Sequence, residues 1–219
     1  MGFLIMKEFE VSKLLIVESS ADKFFIEALL THINLNIEVG EPLCLVDDYE
    51  CIGGMGNLEQ KLKFVLTNIN KGKVDKVGII FDADSMGIEK REEEIKEKII
   101  SVFNKYDEDI FSIYIMNRDG FGELEDILKE IKTTDSLYAD CLDNWRECLS
   151  KNKIEVSDKI FNKFWINNYV MYDTCISSKH RGKKDKYCIF EYAMKNKDIW
   201  NFDHKILNDL KKFLKELGE

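Results

Sequence analysis

The sequence predicts an α/β protein, a mostly parallel, Rossmann-like sheet flanked by helices, with a helical extension at its C-terminal end. Three observations carry that expectation. Short apolar runs alternate with stretches of helical periodicity from Lys13 to about residue 130, the pattern of a doubly wound sheet. Val77-Gly78-Ile79-Ile80-Phe81 has no polar side chain, as a strand buried on both faces requires. From about Asp135 onward the apolar residues recur at helical spacing only. The expected organisation is an α/β domain over 1–133 and a helical extension over 134–219, packed on the same core.

Taken in order, Lys13 to Val17 reads as a strand ending at Glu18, and Ser19-Ser20 opens a helix whose Phe24, Phe25, Ala28, Leu29 and Ile33 share one face. Glu18 then lies at a strand's carboxyl end, the layer where open α/β sheets place their ligands. It has no capping role there, which favours a functional one. Asp22, in the first helical turn, forms a Ser19-x-x-Asp22 spacing and reads equally as helix cap and as ligand. Leu43 to Val46, with the segment to Ile52, reads as a second strand or bent hairpin. Gly53-Gly54-Met55-Gly56-Asn57 makes a tight turn into a helix over 58–70 and lacks the Gly-Lys-Ser/Thr ending of a phosphate-binding loop.

The strand over 75–81 runs into Asp82-Ala83-Asp84. Two like charges this close are costly unless compensated, and a hard divalent cation with oxygen ligands is the usual compensation. The bland reading has Asp84 and Ser85 capping the helix over 88–104. Ile110 to Met116 gives a fourth strand. Leu124, Ile127, Leu128 and Ile131 then place a helix whose first turn carries Glu123, Glu125 and Asp126. The extension has helices over 137–149 and 159–172, whose Trp145, Phe161, Phe164, Trp165 and Tyr169 read as packing. A basic segment over 179–186 comes next, and a last helix over 205–217 is capped by Asp203.

Composition narrows the classes. The 45% hydrophobic and 33% charged residues, with a single proline, fit a compact chain without flexible linkers. Six cysteines show no C-x-x-C spacing, and several stand in apolar patterns where a free thiol packs as a small hydrophobe; the N-terminal stretch is too short for a secretory segment, and no run reaches membrane-spanning length, so a cytoplasmic setting is expected. The net charge of −9 would repel nucleic acid if spread evenly. It is not: Lys179, Arg181, Lys183, Lys184 and Lys186 against Asp185 make a basic patch.

Val17-Glu18-x-x-x-Asp22, Phe81-Asp82-Ala83-Asp84 and Gly122-x-Leu124-Glu125-Asp126 together resemble the Toprim fold family of topoisomerases, bacterial primases and overcoming-lysogenization-defect nucleases, and within it the small stand-alone Toprim-like proteins. The resemblance covers most of the chain and is strongest over 13–130. It implies that Glu18 is a general acid/base or metal ligand, that Asp82 and Asp84 hold Mg²⁺ (or Mn²⁺) with Asp22 and Glu125 completing the set, and that a lysine of the basic segment, Lys183 or Lys184 among them, acts in catalysis. One departure is Ser19, where the family often has glycine.

The resemblance therefore implies a Mg²⁺-dependent nuclease for DNA or RNA, in phage defence or repair, working with an ATPase partner or as a homodimer. The alternative is a Toprim-like nucleic-acid-binding or regulatory subunit without turnover. A topoisomerase or primase would need modules for which 219 residues leave no room. A response-regulator receiver would need a Lys-Pro after its fifth strand, and a haloacid-dehalogenase phosphatase its Asp-x-Asp after the first strand; neither pattern is met.

Overall fold

The computed structural model describes residues 12–44, 54–175, 177, 179–183 and 185–219. Its centre is a sheet of four parallel strands in the order β2-β1-β3-β4, made of β1 (Ser12–Val17), β2 (Glu38–Val39), β3 (Val74–Asp82) and β4 (Phe111–Met116). Helices α1 (Ser20–His32), α2 (Gly54–Asn70), α3 (Ile88–Phe103) and α4 (Leu124–Ile131) alternate with these strands. Beyond them come α5 (Leu137–Lys151), α6 (Asp158–Asn168) with a π-helical turn Tyr169–Asp173, α7 (Phe190–Asn196) and α8 (Asn208–Gly218), which follows a 3₁₀ turn.

The period of two along each strand divides the core into two layers. Leu14 and Ile16 of β1, Val77, Ile79 and Phe81 of β3, and Phe111 and Ile115 of β4 face α2 and α3. Leu15, Val17, Ile80 and Met116 point the other way, into one apolar cluster with Phe25, Leu128, Trp165, Tyr169 and Leu214. The residues of α6 and α8 therefore share a core with those of the α/β part. Gly78 lies on this second face, and a Cβ there would stand 2.6 Å from Leu217 Cδ2 and 2.7 Å from Leu15 Cδ2. Its missing side chain lets α8 lie against the central strand. Gly78→Ala is expected to destabilise by about 1–3 kcal/mol in urea or thermal melts, through overpacking. An unchanged midpoint would mean that α8 does not seat there.

Several boundaries differ from the sequence-based expectation. The second strand is the two-residue β2 at 38–39, while positions 45–52 of the expected strand or hairpin, and 53 of the turn after it, lie outside the described residues. Its start still follows the sheet: the Leu43 and Cys44 N–H groups donate to the Val17 and Glu18 carbonyls at 3.1 and 2.9 Å. Gly54 to Asn57 form the first turn of α2 rather than a loop. The final helical segment is capped by His204, whose Nδ1 accepts from the Ile206 N–H, because Asp203 is held instead by His32. Helix α7 carries only seven residues, too few for its periodicity to stand out in the sequence.

The cysteines also differ. Where free thiols are expected, Cys175 and Cys188 are joined in a disulfide and Cys44 is disulfide-bonded as well, while Cys141 and Cys148 are free but exposed. The pairing crosses a turn that folds back on itself, which spacing along the chain does not display. Among the aromatics, Phe161, Trp165 and Tyr169 are buried, whereas Trp145 is half-exposed against Phe164. Among the described residues no helix is long and apolar enough to cross a membrane.

Candidate functional site

Parallel pairing places the carboxyl ends of β1, β3 and β4 side by side. Val17 pairs with Ile80 and Asp82 with Met116, so Glu18, one residue past β1, and Asp82, the last of β3, leave the sheet on one rim. Asp82 Oδ1 accepts the Leu124 N–H at 3.1 Å, at the first turn of α4, where helix N–H groups have no intrahelical acceptor and an anion is favoured. Asp84 sits at φ 49°, a left-handed conformation that aspartate tolerates. There it exchanges backbone hydrogen bonds of 2.8 and 2.9 Å with Gly122, tying the Asp-x-Asp turn to the start of α4. Gly122 is required at that tie: its φ is 87°, and a Cβ would stand 2.6 Å from Asp126 Oδ2.

At the start of α1, Ser19 and Asp22 form a capping box: the Ser19 N–H and hydroxyl donate to Asp22 Oδ2 at 2.8 and 2.7 Å, and Ser19 Oγ accepts from the Asp22 N–H. The cap reading of Asp22 is thus realised, and its buried charge still acts on the neighbouring carboxylates. Ser19 itself has φ −124° and ψ 168°, extended backbone open to any residue, so the departure from glycine leaves this turn unstrained.

The cations come from helices. Arg91 of α3 donates through Nε to the Asp82 carbonyl at 3.0 Å and through Nη2 to Asp84 Oδ2 at 2.7 Å. Lys159 of α6 donates to Asp84 Oδ1 at 2.8 Å and lies 3.8 Å from Glu123 Oε2. One turn further along α6, Lys163 adds its charge to the field on Asp22, Glu123 and Glu125. Between the two lysines Asn162 donates to Asp126 Oδ1 at 2.9 Å, and Asp126 Oδ2 accepts the Glu123 N–H, so α6 is fastened to the first turn of α4.

Burial raises the carboxyl groups here. The Glu18 pKa is pushed up to about 7 by desolvation first and by the charge of Asp22 next, with Lys159 opposing. Asp22 rises to about 6, again through burial, held back by its Ser19 hydrogen bond. Glu123 rises to about 8 through burial and the charge of Glu125. Asp82 is raised well above the usual range by burial, then by Asp22, Glu18 and Glu125, and Glu125 is raised by burial against the pull of Lys163. Burial works to lower the Lys159 ammonium, but its hydrogen bond to Asp84 and the nearby carboxylates outweigh that, and its pKa is raised.

Glu18, Asp22, Asp82, Asp84 and Glu125, all expected from the sequence, are therefore brought together. The basic segment is not among the leading charges acting on them. Lys183 lies in a turn where its N–H donates to the His180 carbonyl, and Lys184 lies outside the described residues. Lys159, Lys163 and Arg91 hold the cationic positions instead, and sequence reasoning passed over them. The available signal was a polar stripe: Lys159, Asn162 and Lys163 share one side of a helix whose aromatic residues pack elsewhere. Glu123 was passed over as an ordinary helix-start acid.

Glu123 is the least compensated of the group. It is 3% exposed, and neither carboxylate oxygen has a hydrogen-bond partner. Six carboxylates meet three cations in this centre, all with hard oxygen donors, and that donor chemistry fits Mg²⁺ or Mn²⁺. As the side chains stand, no three His, Cys, Asp or Glu groups among the described residues converge closely enough to hold an ion.

Fold and site define the class: an α/β protein with a desolvated carboxylate centre at the carboxyl rim of a parallel sheet. The chain belongs to the family described as protein of unknown function, DUF3226, whose model matches residues 12–219. No curated protein and no solved structure matches it.

Proposed function

We propose that this protein is a Toprim-type, Mg²⁺-dependent nuclease that cleaves phosphodiester bonds in DNA or RNA. The observation that carries the reading is the gathering of Glu18, Asp82 and Asp84 around Lys159 at the carboxyl rim of the sheet. The Glu-and-Asp-x-Asp pattern and the parallel α/β frame both support it.

Asp82 and Asp84, with Glu18 beside them and Asp22 and Glu125 adjoining, are the residues that would hold the ion. When bound, it supplies charge neutralisation for phosphodiester oxygens and lowers the pKa of water. Glu18, at the strand end beside Asp82, is the carboxylate that would take a proton from attacking water and return it to the departing oxygen. Lys159, at the open side of Asp84, is placed to donate to a non-bridging phosphate oxygen. Arg91 fixes Asp84 and the Asp82 backbone and so holds the turn in shape.

One observation favours the second reading, a nucleic-acid-binding or regulatory subunit without turnover: both oxygens of Asp84 are already engaged, by Arg91 and Lys159. Cleavage of mixed nucleic acids with and without Mg²⁺ or Mn²⁺ separates the two. Lys159→Met is expected to lower the cleavage rate about 100-fold, while Lys183→Ala stays near wild type. Metal binding in calorimetry without any cleavage would leave the binding subunit as the better reading.

A further inference from the structure

The carboxylate centre opens into a groove of about 1170 Å³ that begins at Asp84, Glu123 and Lys159 and continues past Phe121, Arg118, Lys129 and Arg146. That volume exceeds the roughly 300–1,000 Å³ of small-molecule pockets, so it suits a segment of polymer better than a metabolite. We propose that the groove takes single-stranded nucleic acid, with an unpaired base stacked on Phe121 and phosphates held by Arg118 and Lys129.

Phe121 is 56% exposed on the lining of the groove, and it is rigidly presented. Arg118 and Phe121 exchange backbone hydrogen bonds of 2.6 and 3.2 Å across a two-residue turn. Asp119 at φ 55° and Gly120 at φ 92° give that turn the geometry of a tight hairpin. The ring rests on the backbone entering α3, since a Cβ on Gly87 would stand 3.1 Å from Phe121 Cε1. The same turn carries Arg118, whose guanidinium is half-exposed and pairs with Glu130 on the surface at 3.2 Å, a contact a phosphate would have to share.

Lys129 is fixed in a different way. Its Nζ donates to Asn162 Oδ1 at 3.2 Å and stands over the rings of Trp165 and Phe161, 5.0 and 5.4 Å from their centroids. Among the described residues it makes no ion pair, so its charge is left for an anion. Acids line the groove as well, Asp84 and Glu123 at its head and Asp119, Asp126, Asp143 and Asp158 further along; Asp84 is held by Arg91 and Lys159, and Asp158 is taken up by Arg146 at 2.6 Å. An aromatic platform beside a held cation is the pattern that binds unpaired bases and their backbone, whereas a duplex keeps its base faces stacked away from Phe121.

What happens at the centre rests on the nuclease reading; binding in the groove does not. Fluorescence anisotropy with a short labelled oligonucleotide, as single strand and as duplex, is measured on the full chain carrying Asp82→Asn with Mg²⁺ present. The single strand is expected to bind about tenfold more tightly than the duplex. Adding Phe121→Ala is expected to weaken single-strand binding by about 5- to 150-fold, the worth of one base–aromatic stack, while Phe121→Trp preserves it. Equal affinity for duplex, or an unchanged affinity in Phe121→Ala, overturns the inference. If wild type cleaves nucleic acid yet Phe121→Ala binds normally, only the groove assignment fails. If single strands bind through Phe121 but are never cleaved, the groove stands and the nuclease reading fails. No nucleic-acid binding removes both.

Discussion

Asp82→Asn is expected to abolish Mg²⁺-dependent cleavage, by at least about 100-fold, while raising the thermal midpoint at mildly alkaline pH. The two effects have one origin. Asp82 is buried at the end of β3 with Asp22, Glu18 and Glu125 around it, and each of them works against its ionisation. The amide keeps the shape and an oxygen to accept the Leu124 N–H, so α4 stays anchored while one buried charge is removed. Activity assays beside calorimetric melts decide it. A variant that loses stability would show that the carboxylate serves the fold, and one that cleaves normally would remove Asp82 from the metal site.

Without divalent cation, stability is expected to fall steadily as pH rises from about 5 to about 8.5. Proton linkage sets the sign. Glu18, Asp22 and Glu123 have folded values of about 7, 6 and 8, above the ordinary values of 4.5, 3.8 and 4.5 that they take in the unfolded chain. Between those limits the folded protein binds more protons than the unfolded one, so stability present at low pH is lost through this window. Glu123→Gln is expected to recover on the order of 3 kcal/mol near pH 8.5 and little near pH 5, since Glu123 is buried with neither oxygen satisfied. Mg²⁺ at about 100 times its Kd should return about 2.7 kcal/mol to wild type at the alkaline end. Chemical denaturation across pH measures all three. A flat profile would mean that these carboxyl groups are solvated.

The carboxylates were legible in the sequence for a local reason. A strand that ends in an acid announces both its address and its charge within a few residues, and Glu18, Asp82 and Asp84 all do so. Asp22 carried two readings because a capping box has the same spacing whether or not its acid faces other charges. Glu123 looked ordinary since many helices begin with an acid. Its neighbours Asp84 and Lys159 lie 39 residues before it and 36 after it, and only their convergence leaves it buried with no hydrogen bond to either oxygen. For the lysine, the sequence points to where positive charge is densest, the segment over 179–186. Density along the chain reports a solvated surface as readily as a site, whereas Lys159 and Lys163 are separated by a helical turn and gain their meaning from what α6 packs against.

By itself the sequence determined three of the four strands, most of the helices, the order in which they alternate and the acids at the strand ends, because backbone preference and apolar periodicity act over one or two turns of chain. The tertiary structure decided which helix supplies the cations, which acid is left without a hydrogen bond, which cysteines pair, and that Phe121 lines a groove. Those depend on desolvation and on charges as far apart in the chain as Glu18 and Lys159, and both arise only once the sheet and α6 have closed around the same rim.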